Sequence, residues 1–374
     1  MGPGQASKIP ILIASSIKPL KDTRAWEKLG ISLRETNKYD LNIIGFSSKF
    51  LERFEGARIF PSLFNTSSTW ERYFAQFRFL KTVFKVKPKI LIVCTYEYLF
   101  VGALLKVVFG YKLIYDVQEN YLLNLDLNTE LSVAKKSNAA KIIKKSEAVK
   151  GIDFYFLAEK CYVQEMPEKK PFLILENKFA GKIIDKSPFR YSEKKAFRFL
   201  ISGTITPAFG TIEGINFFNS ILEIFPDSSL HIVGHVPLKS FRLKLEKTVK
   251  SNPKIHLKID ENPIDHQLIL EEIKASDFCL LPYQKHSAIK DKMPTKLFEG
   301  MALGIPILIS KNEKWESFLN QYQGGFSIDF ESEELAREQF LTGIQRDFFT
   351  NKLGDEILWS SQEQEFLKVI AEIL

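Results

Sequence analysis

The sequence predicts an α/β protein made of two consecutive doubly wound parallel-sheet units. Three observations carry that reading: short, continuous apolar runs of the kind buried in parallel sheets, helical segments alternating with them, and a restart of the alternation near Phe197. The first run is Ile9–Ser15, followed by a polar loop. Asp22-Thr23-Arg24 then opens a helical stretch to about Glu35, with Trp26, Leu29, Ile31 and Leu33 apolar. Leu41–Phe46 reads as a strand, Ser68–Lys85 as a helix rich in aromatics, Ile90–Cys94 as a strand, Tyr98–Phe109 as an apolar helix and Lys112–Asp116 as a strand. After Phe197 come strands Arg198–Ser202, Leu230–Val233, Ile255–Ile259, Phe278–Leu281 and Ile305–Ile309. Helices Thr211–Ile224, Leu238–Lys250, His266–Ala275 and Thr295–Leu303 separate them, and Ser361–Ile373 is a last helix after Trp359. No internal sequence repeat accompanies this architectural repetition.

A chain of 374 residues is about twice the usual domain size, in keeping with two units. The composition, 45% hydrophobic and 26% charged, belongs to a water-soluble globular protein with cores and argues against wholesale disorder. Cys94, Cys161 and Cys279 are odd in number and far apart, so they form neither a disulfide framework nor a paired metal motif, and a reducing, cytoplasmic compartment is expected. The N-terminus lacks the basic-then-apolar order of a signal peptide, and the most apolar stretch, Tyr98–Tyr111, is too short to span a bilayer.

Charge is distributed unevenly. Residues 1–190 carry 31 Lys+Arg against 19 Asp+Glu, a balance of +12, and residues 191–374 carry −5. The basic half is expected to face something anionic. Within Trp70–Lys85, eight large apolar residues in sixteen positions exceed the needs of one buried face, and the charges are nearly all basic, with Arg78, Lys81 and Lys85 among them. Lysines also crowd Glu130–Lys150. This composition suits docking on an anionic membrane surface; no nucleic-acid module accompanies the charge.

Several chemistries are excluded by missing motifs. The first loop, Ser15-Ser16-Ile17-Lys18-Pro19, has no G-x-G-x-x-G, and no G-x-x-x-x-G-K-[ST] or G-x-S-x-G occurs. His231 and His235 flank a strand end without an HExxH between them and read as structural residues. No metal is expected, since Asp126-Leu127-Asn128 is only a loose echo of D-x-D.

The densest chemistry runs from Asp291 to Pro306. Pro294 fits a helix first turn, placing Thr295 and Lys296 where free N–H groups and the positive dipole end favour phosphate. Glu299, one turn on, is suited to accept hydrogen bonds from a ribose diol, and Asp291 in the preceding loop is suited to a sugar hydroxyl.

This segment resembles the retaining family-four group of GT-B glycosyltransferases, whose pattern P-x-K-x-x-E-x-M-A-x-G-x-P is matched by Pro294, Lys296, Glu299, Met301, Ala302, Gly304 and Pro306. Asp291 stands eight residues before Glu299, where that family usually has Glu. Ser202-Gly203-Thr204 resembles the turn opening the family's C-terminal domain, Ser276–Tyr283 the strand leading to the donor loop, Asp22-x-Arg24 a D-x-R element, and Tyr115-Asp116-Val117-Gln118-Glu119 its Y-D-x-H-E. Three departures stand out: Gln118 replaces the usual histidine, Thr204–Gly210 holds no basic residue to clamp a diphosphate, and the first loop lacks paired glycines.

The resemblance implies a GT-B fold of two Rossmann-like domains facing a cleft. Residues 1–187 would form the acceptor side, 188–358 the nucleotide-sugar side, and 359–374 a helix crossing back to the N-terminal domain. It implies metal-independent, retaining transfer from a nucleotide-diphosphate sugar, with no other cofactor, to a glycan or lipid-linked acceptor in cell-envelope polysaccharide synthesis. Asp291, Gln118 and Glu119 would be catalytic; Gly203, Thr204, Thr295, Lys296 and Glu299 would hold the donor. The alternative is a degenerate GT-B protein that binds a nucleotide sugar or a partner without transfer.

Overall fold

The computed structural model describes residues 7–47, 54–64 and 69–374. The N-terminal residues through Ala6 and the expected helix start at Ser68 lie outside them. The chain divides into unit 1, residues up to Asn177 together with Gln362–Leu374, and unit 2, Lys178–Ser361.

Unit 1 is a seven-stranded parallel sheet of β1 (Ile9–Pro19), β2 (Tyr39–Phe46), β3 (Ala57–Pro61), β4 (Ile90–Val93), β5 (Lys112–Val117), β6 (Phe154–Leu157) and β7 (Phe172–Ile174) in the order β3-β2-β1-β4-β5-β6-β7. The central strands are apolar on both sides because helices from opposite crossovers cover both faces; Ile90–Val93 is buried at every position. Unit 2 repeats the plan with β8 (Arg198–Thr204), β9 (Ser229–His235), β10 (Ile255–Asp260), β11 (Phe278–Leu281), β12 (Ile307–Ile309) and β13 (Gly325–Ser327) in the order β10-β9-β8-β11-β12-β13. In both sheets the winding reverses beside the first strand, between β1 and β4 and between β8 and β11. In open α/β sheets such a reversal leaves a crevice outside the strand ends, which is where ligands bind.

Four strands absent from the sequence reading, β3, β6, β7 and β13, complete the sheets. Asp22 caps the expected helix: its carboxylate accepts from the Arg24 and Ala25 amides at 3.0 and 2.8 Å and its carbonyl from Trp26 at 2.9 Å, and the turns Ala25–Gly30 that follow are π-helical. The sequence divides the chain at 187/188, whereas the packing divides it at 177/178. The intervening segment belongs to unit 2 through Phe179, paired with Leu358, and through Lys186, which donates to the Gly304 carbonyl at 2.9 Å. The last helix, Ser360–Glu372, packs Phe366 on Phe156 of β6, and Gln362 bonds both the amide and the carbonyl of Glu176.

Candidate functional site

At the end of β8, Gly203 has φ +86°, a left-handed conformation natural to glycine. A Cβ there would stand 2.8 Å from Cε and 3.1 Å from Nζ of Lys296, so only a glycine lets this lysine lie across the strand end. Lys296 occupies the first turn of the helix Thr295–Ala302, whose N-cap, Pro294, makes no side-chain cap. Asp265, Asn312 and Ser332 do cap the helices that follow them. The Thr295 end therefore keeps amide donors for a ligand.

Neutral groups hold the Lys296 ammonium. It donates to the Tyr283 hydroxyl at 3.0 Å and lies 5.5 and 5.6 Å from the ring centroids of Tyr283 and Phe209, which stack on each other at 4.5 Å. Among the described residues no carboxylate pairs with it. Phe209 lies in the stretch that lacks a basic clamp, and an aromatic face that steers the existing lysine occupies that place.

Glu299 is buried, and its Oε1 is 2.9 Å from Nε2 of His266. His266 was not singled out from the sequence; its only signal there is its place just after the Asp265 cap. Cys279 is buried nearby, and burial followed by the Glu299 charge pushes its thiol up to about 12, so it is no nucleophile. Thr204 closes β8, half-buried. Asp291 follows the short helix Ser287–Lys290 and pairs its Oδ1 with Lys314 Nζ at 2.9 Å. A cavity of about 590 Å³ opens at the ends of β11–β13, lined by Tyr283, Lys285, Lys311 and Asp329 among others; Lys296, Glu299 and Asp291 do not line it.

In unit 1 the two weaker motifs meet. Arg24 is buried and grips Asp116 through Nε and Nη2 at 2.7–2.9 Å, while its Nη1 donates to the Leu175 carbonyl and to Asn177. Gln118 donates to Oδ2 of the same carboxylate at 2.9 Å, an oxygen that Arg24 Nε also reaches, and is itself buried. Glu119 accepts from Lys18 Nζ at 2.7 Å and from Asn124 at 2.7 Å. Burial alone would lower the Lys18 pKa, but Glu119 and Asp22 outweigh it and the net shift is upward. Lys18 stands in the stretch that reads as a loop in sequence, but β1 runs through it to Pro19, and no motif marks its pairing with Glu119.

Beside this saturated network stands an unsaturated one. Glu97 Oε2, the Tyr121 hydroxyl and Gln76 Oε1 are buried without a hydrogen-bond partner among the described residues. They belong together: Gln76 Nε2 donates to the Glu97 carbonyl at 3.2 Å, and Tyr121 packs on Tyr96 at 4.8 Å. Burial raises the pKa of the Glu97 carboxyl, and burial with Glu119 and Glu97 raises that of the Tyr121 phenol. Orphaned buried polar atoms cost free energy, and their presence at a strand-end crevice points to a polar ligand.

His231 packs on His256 with the rings tilted and their centroids 4.7 Å apart; burial, Arg198 and His256 lower its pKa to about 4. Among the described residues no three His, Cys, Asp or Glu side chains gather as metal ligands would.

By sequence the chain matches no family model and no curated protein. By structure it is similar to HepE of Anabaena in complex with UDP-glucose, at 12% identity and TM-score 0.64, over 97% of this chain and 100% of that one. The catalytic domain of starch synthase IV from Arabidopsis thaliana, bound to ADP and acarbose, is similar at 13% identity and TM-score 0.65, over 98% and 99%. Sucrose-phosphate synthase from Thermosynechococcus elongatus is similar at 12% and 0.62, over 98% and 100%. The likeness, spread over nearly the whole chain, establishes the GT-B fold.

Proposed function

We propose that the protein is a retaining glycosyltransferase that moves a sugar, without a metal, from a nucleotide-diphosphate sugar to a glycan or lipid-linked acceptor. The observation that carries this reading is Lys296: an ammonium with no carboxylate partner among the described residues, laid over Gly203 at an uncapped helix end. A diphosphate is the ligand such a group fits. Lys296 and the Thr295 and Thr204 backbone amides neutralise it as it leaves, and Glu299, steadied by His266, accepts the ribose hydroxyls. Asp291, once released from Lys314, meets the sugar. The acceptor belongs to unit 1, where Glu97, Tyr121 and Gln76 offer unmet hydrogen bonds to hydroxyls. In front-face displacement the acceptor oxygen bonds to the anomeric carbon as the bond to diphosphate breaks, and the acceptor proton passes to the departing phosphate. Gln118 and Glu119 then act by holding Asp116 and Lys18 rather than by carrying that proton. The protein works in the cytoplasm, at the membrane face when its acceptor is lipid-linked.

A second reading, binding of a nucleotide sugar without transfer, is favoured by the occupied state of Gln118, Glu119 and Asp291. Calorimetry with UDP-, GDP-, ADP- and dTDP-sugars, paired with a transfer assay on glycan and lipid-linked acceptors, separates the two. Transfer with retained anomeric configuration that falls in Lys296→Ala, with raised KM and lowered kcat, supports the transferase. Binding with no turnover on any acceptor supports the second reading.

A further inference from the structure

The helices Thr69–Val86 and Leu99–Phe109 do more than build unit 1. Their inner stripes give Phe79, Val83, Val86, Leu99 and Leu105 to one core. Each also carries a second apolar stripe at helical spacing on its outer side. On the first helix it is Trp70, Tyr73, Phe74, Phe77 and Phe84; on the second, Phe100, Leu104, Val107 and Val108. Trp70 is 73% exposed, Val107 85% and Val108 70%. The rings of Phe84 and Phe109 meet edge to face at 5.0 Å, which joins the two helices into one surface. Contiguous apolar area of this kind on a protein surface marks an interaction site.

Charge selects the occupant. The helix Val133–Glu147 packs beside Leu99–Phe109 and adds five lysines. Across the three helices there are ten Lys and Arg against two Glu, and both glutamates are engaged, Glu71 with Arg78 and Glu147 with Lys169. A second copy docked about a two-fold axis would set this basic face against itself. We propose that the face docks on the surface of an anionic lipid bilayer, its apolar stripes entering the boundary between headgroups and acyl chains and its lysines meeting lipid phosphates. No helix among the described residues is long and apolar enough to cross a membrane, so the association is peripheral.

The unsaturated cluster borders the two helices. Gln76 sits between Tyr73 and Phe77, and Glu97 stands just ahead of Leu99. Where unit 1 is the acceptor side, as proposed above, this makes the acceptor a membrane-anchored one. Arg78, expected from the sequence to face the membrane, instead bonds the Ser62 carbonyl at 2.9 Å and Glu71 at 2.8 Å, so a fair test leaves it alone.

The test floats the full chain with phosphatidylcholine vesicles, with and without phosphatidylglycerol, at low and high salt, in the absence of donor and acceptor. Binding to the anionic vesicles is expected, with a blue shift of Trp70 fluorescence and its quenching by brominated lipid. Lys81→Glu with Lys85→Glu is expected to weaken binding at low salt by roughly tenfold or more. Val107→Ser with Val108→Ser is expected to remove the part that survives high salt. Far-ultraviolet circular dichroism and a cooperative thermal melt matching the unaltered protein report that each variant is folded. Failure of the unaltered protein to bind anionic vesicles at low salt overturns the proposal, as does binding that neither variant weakens. Self-association lost in the valine variant, without vesicle binding, assigns the face to a second copy instead. Because no sugar chemistry enters the assay, failure here leaves the transferase reading standing, and absence of transfer leaves this one standing.

Discussion

The two winding reversals are built on the same strand order but use their charges in opposite ways. At the end of β8, Lys296 is held by a hydroxyl and two ring faces, and the helix it opens has no side-chain cap. At the end of β1, Lys18 is paired with Glu119, and the neighbouring Arg24 is locked on Asp116. A charge with neutral neighbours keeps its field for a ligand; a charge held by a counter-ion, half-exposed as at Glu119 or buried as at Asp116, spends it on structure. Motif residues of similar appearance thus leave a charge open to a ligand in unit 2, as the proposed function requires, and close it into a scaffold in unit 1.

Breaking the scaffold has the largest expected effect. Arg24→Ala leaves Asp116 buried and unpaired and should destabilise unit 1 by about 3–5 kcal/mol. Chemical denaturation measures this, and a loss below about 1 kcal/mol would show that the pair is not structural. Gly203→Ala addresses the other side. The added Cβ displaces Lys296, so nucleotide-diphosphate affinity should fall roughly 10- to 100-fold, the worth of a charge-assisted hydrogen bond, with unit 1 untouched. Phe209→Leu removes one of the two rings beneath the ammonium; a loss of about 0.5–2 kcal/mol in donor binding, read by calorimetry, is expected. The smallest effect concerns pH. His231 has its pKa lowered from 6.5 to about 4 in the folded protein, so the unfolded chain takes up that proton first as pH falls. Stability should therefore decline from pH 6.5 toward pH 4 and level off below, and His231→Gln should flatten that slope in thermal melts.

Much of the candidate site in unit 2 was legible because its residues are close in sequence: Asp291 to Pro306 is a single loop and helix, and the glycine at 203 stands at the end of an apolar run. The candidate residues of unit 1 were legible only as fragments. Arg24 and Asp116 meet across 92 residues, and nothing in either motif announces that each satisfies the other or that Gln118 is turned onto the same carboxylate. Glu97, Gln76 and Tyr121 belong to no motif; only the buried, unpartnered oxygen that each carries sets them apart. Among the missed strands, β3, β7 and β13 are sheet edges of three to five residues, too short for a periodic signal. The surplus of aromatics in Trp70–Lys85 was visible, while the matching stripe on Leu99–Phe109 was hidden because a uniformly apolar helix reads as buried.

The contrast between the two lysines is tested most directly by titrating UDP, GDP, ADP and dTDP into the unaltered protein and into Lys296→Ala and Lys18→Ala, with thermal melts of all three. At least one nucleotide diphosphate should bind the unaltered protein. Lys296→Ala should weaken that binding roughly tenfold or more while leaving the melt unchanged, and Lys18→Ala should lower the melt while leaving binding unchanged once folded. Equal nucleotide affinity in Lys296→Ala and the unaltered protein would contradict the account.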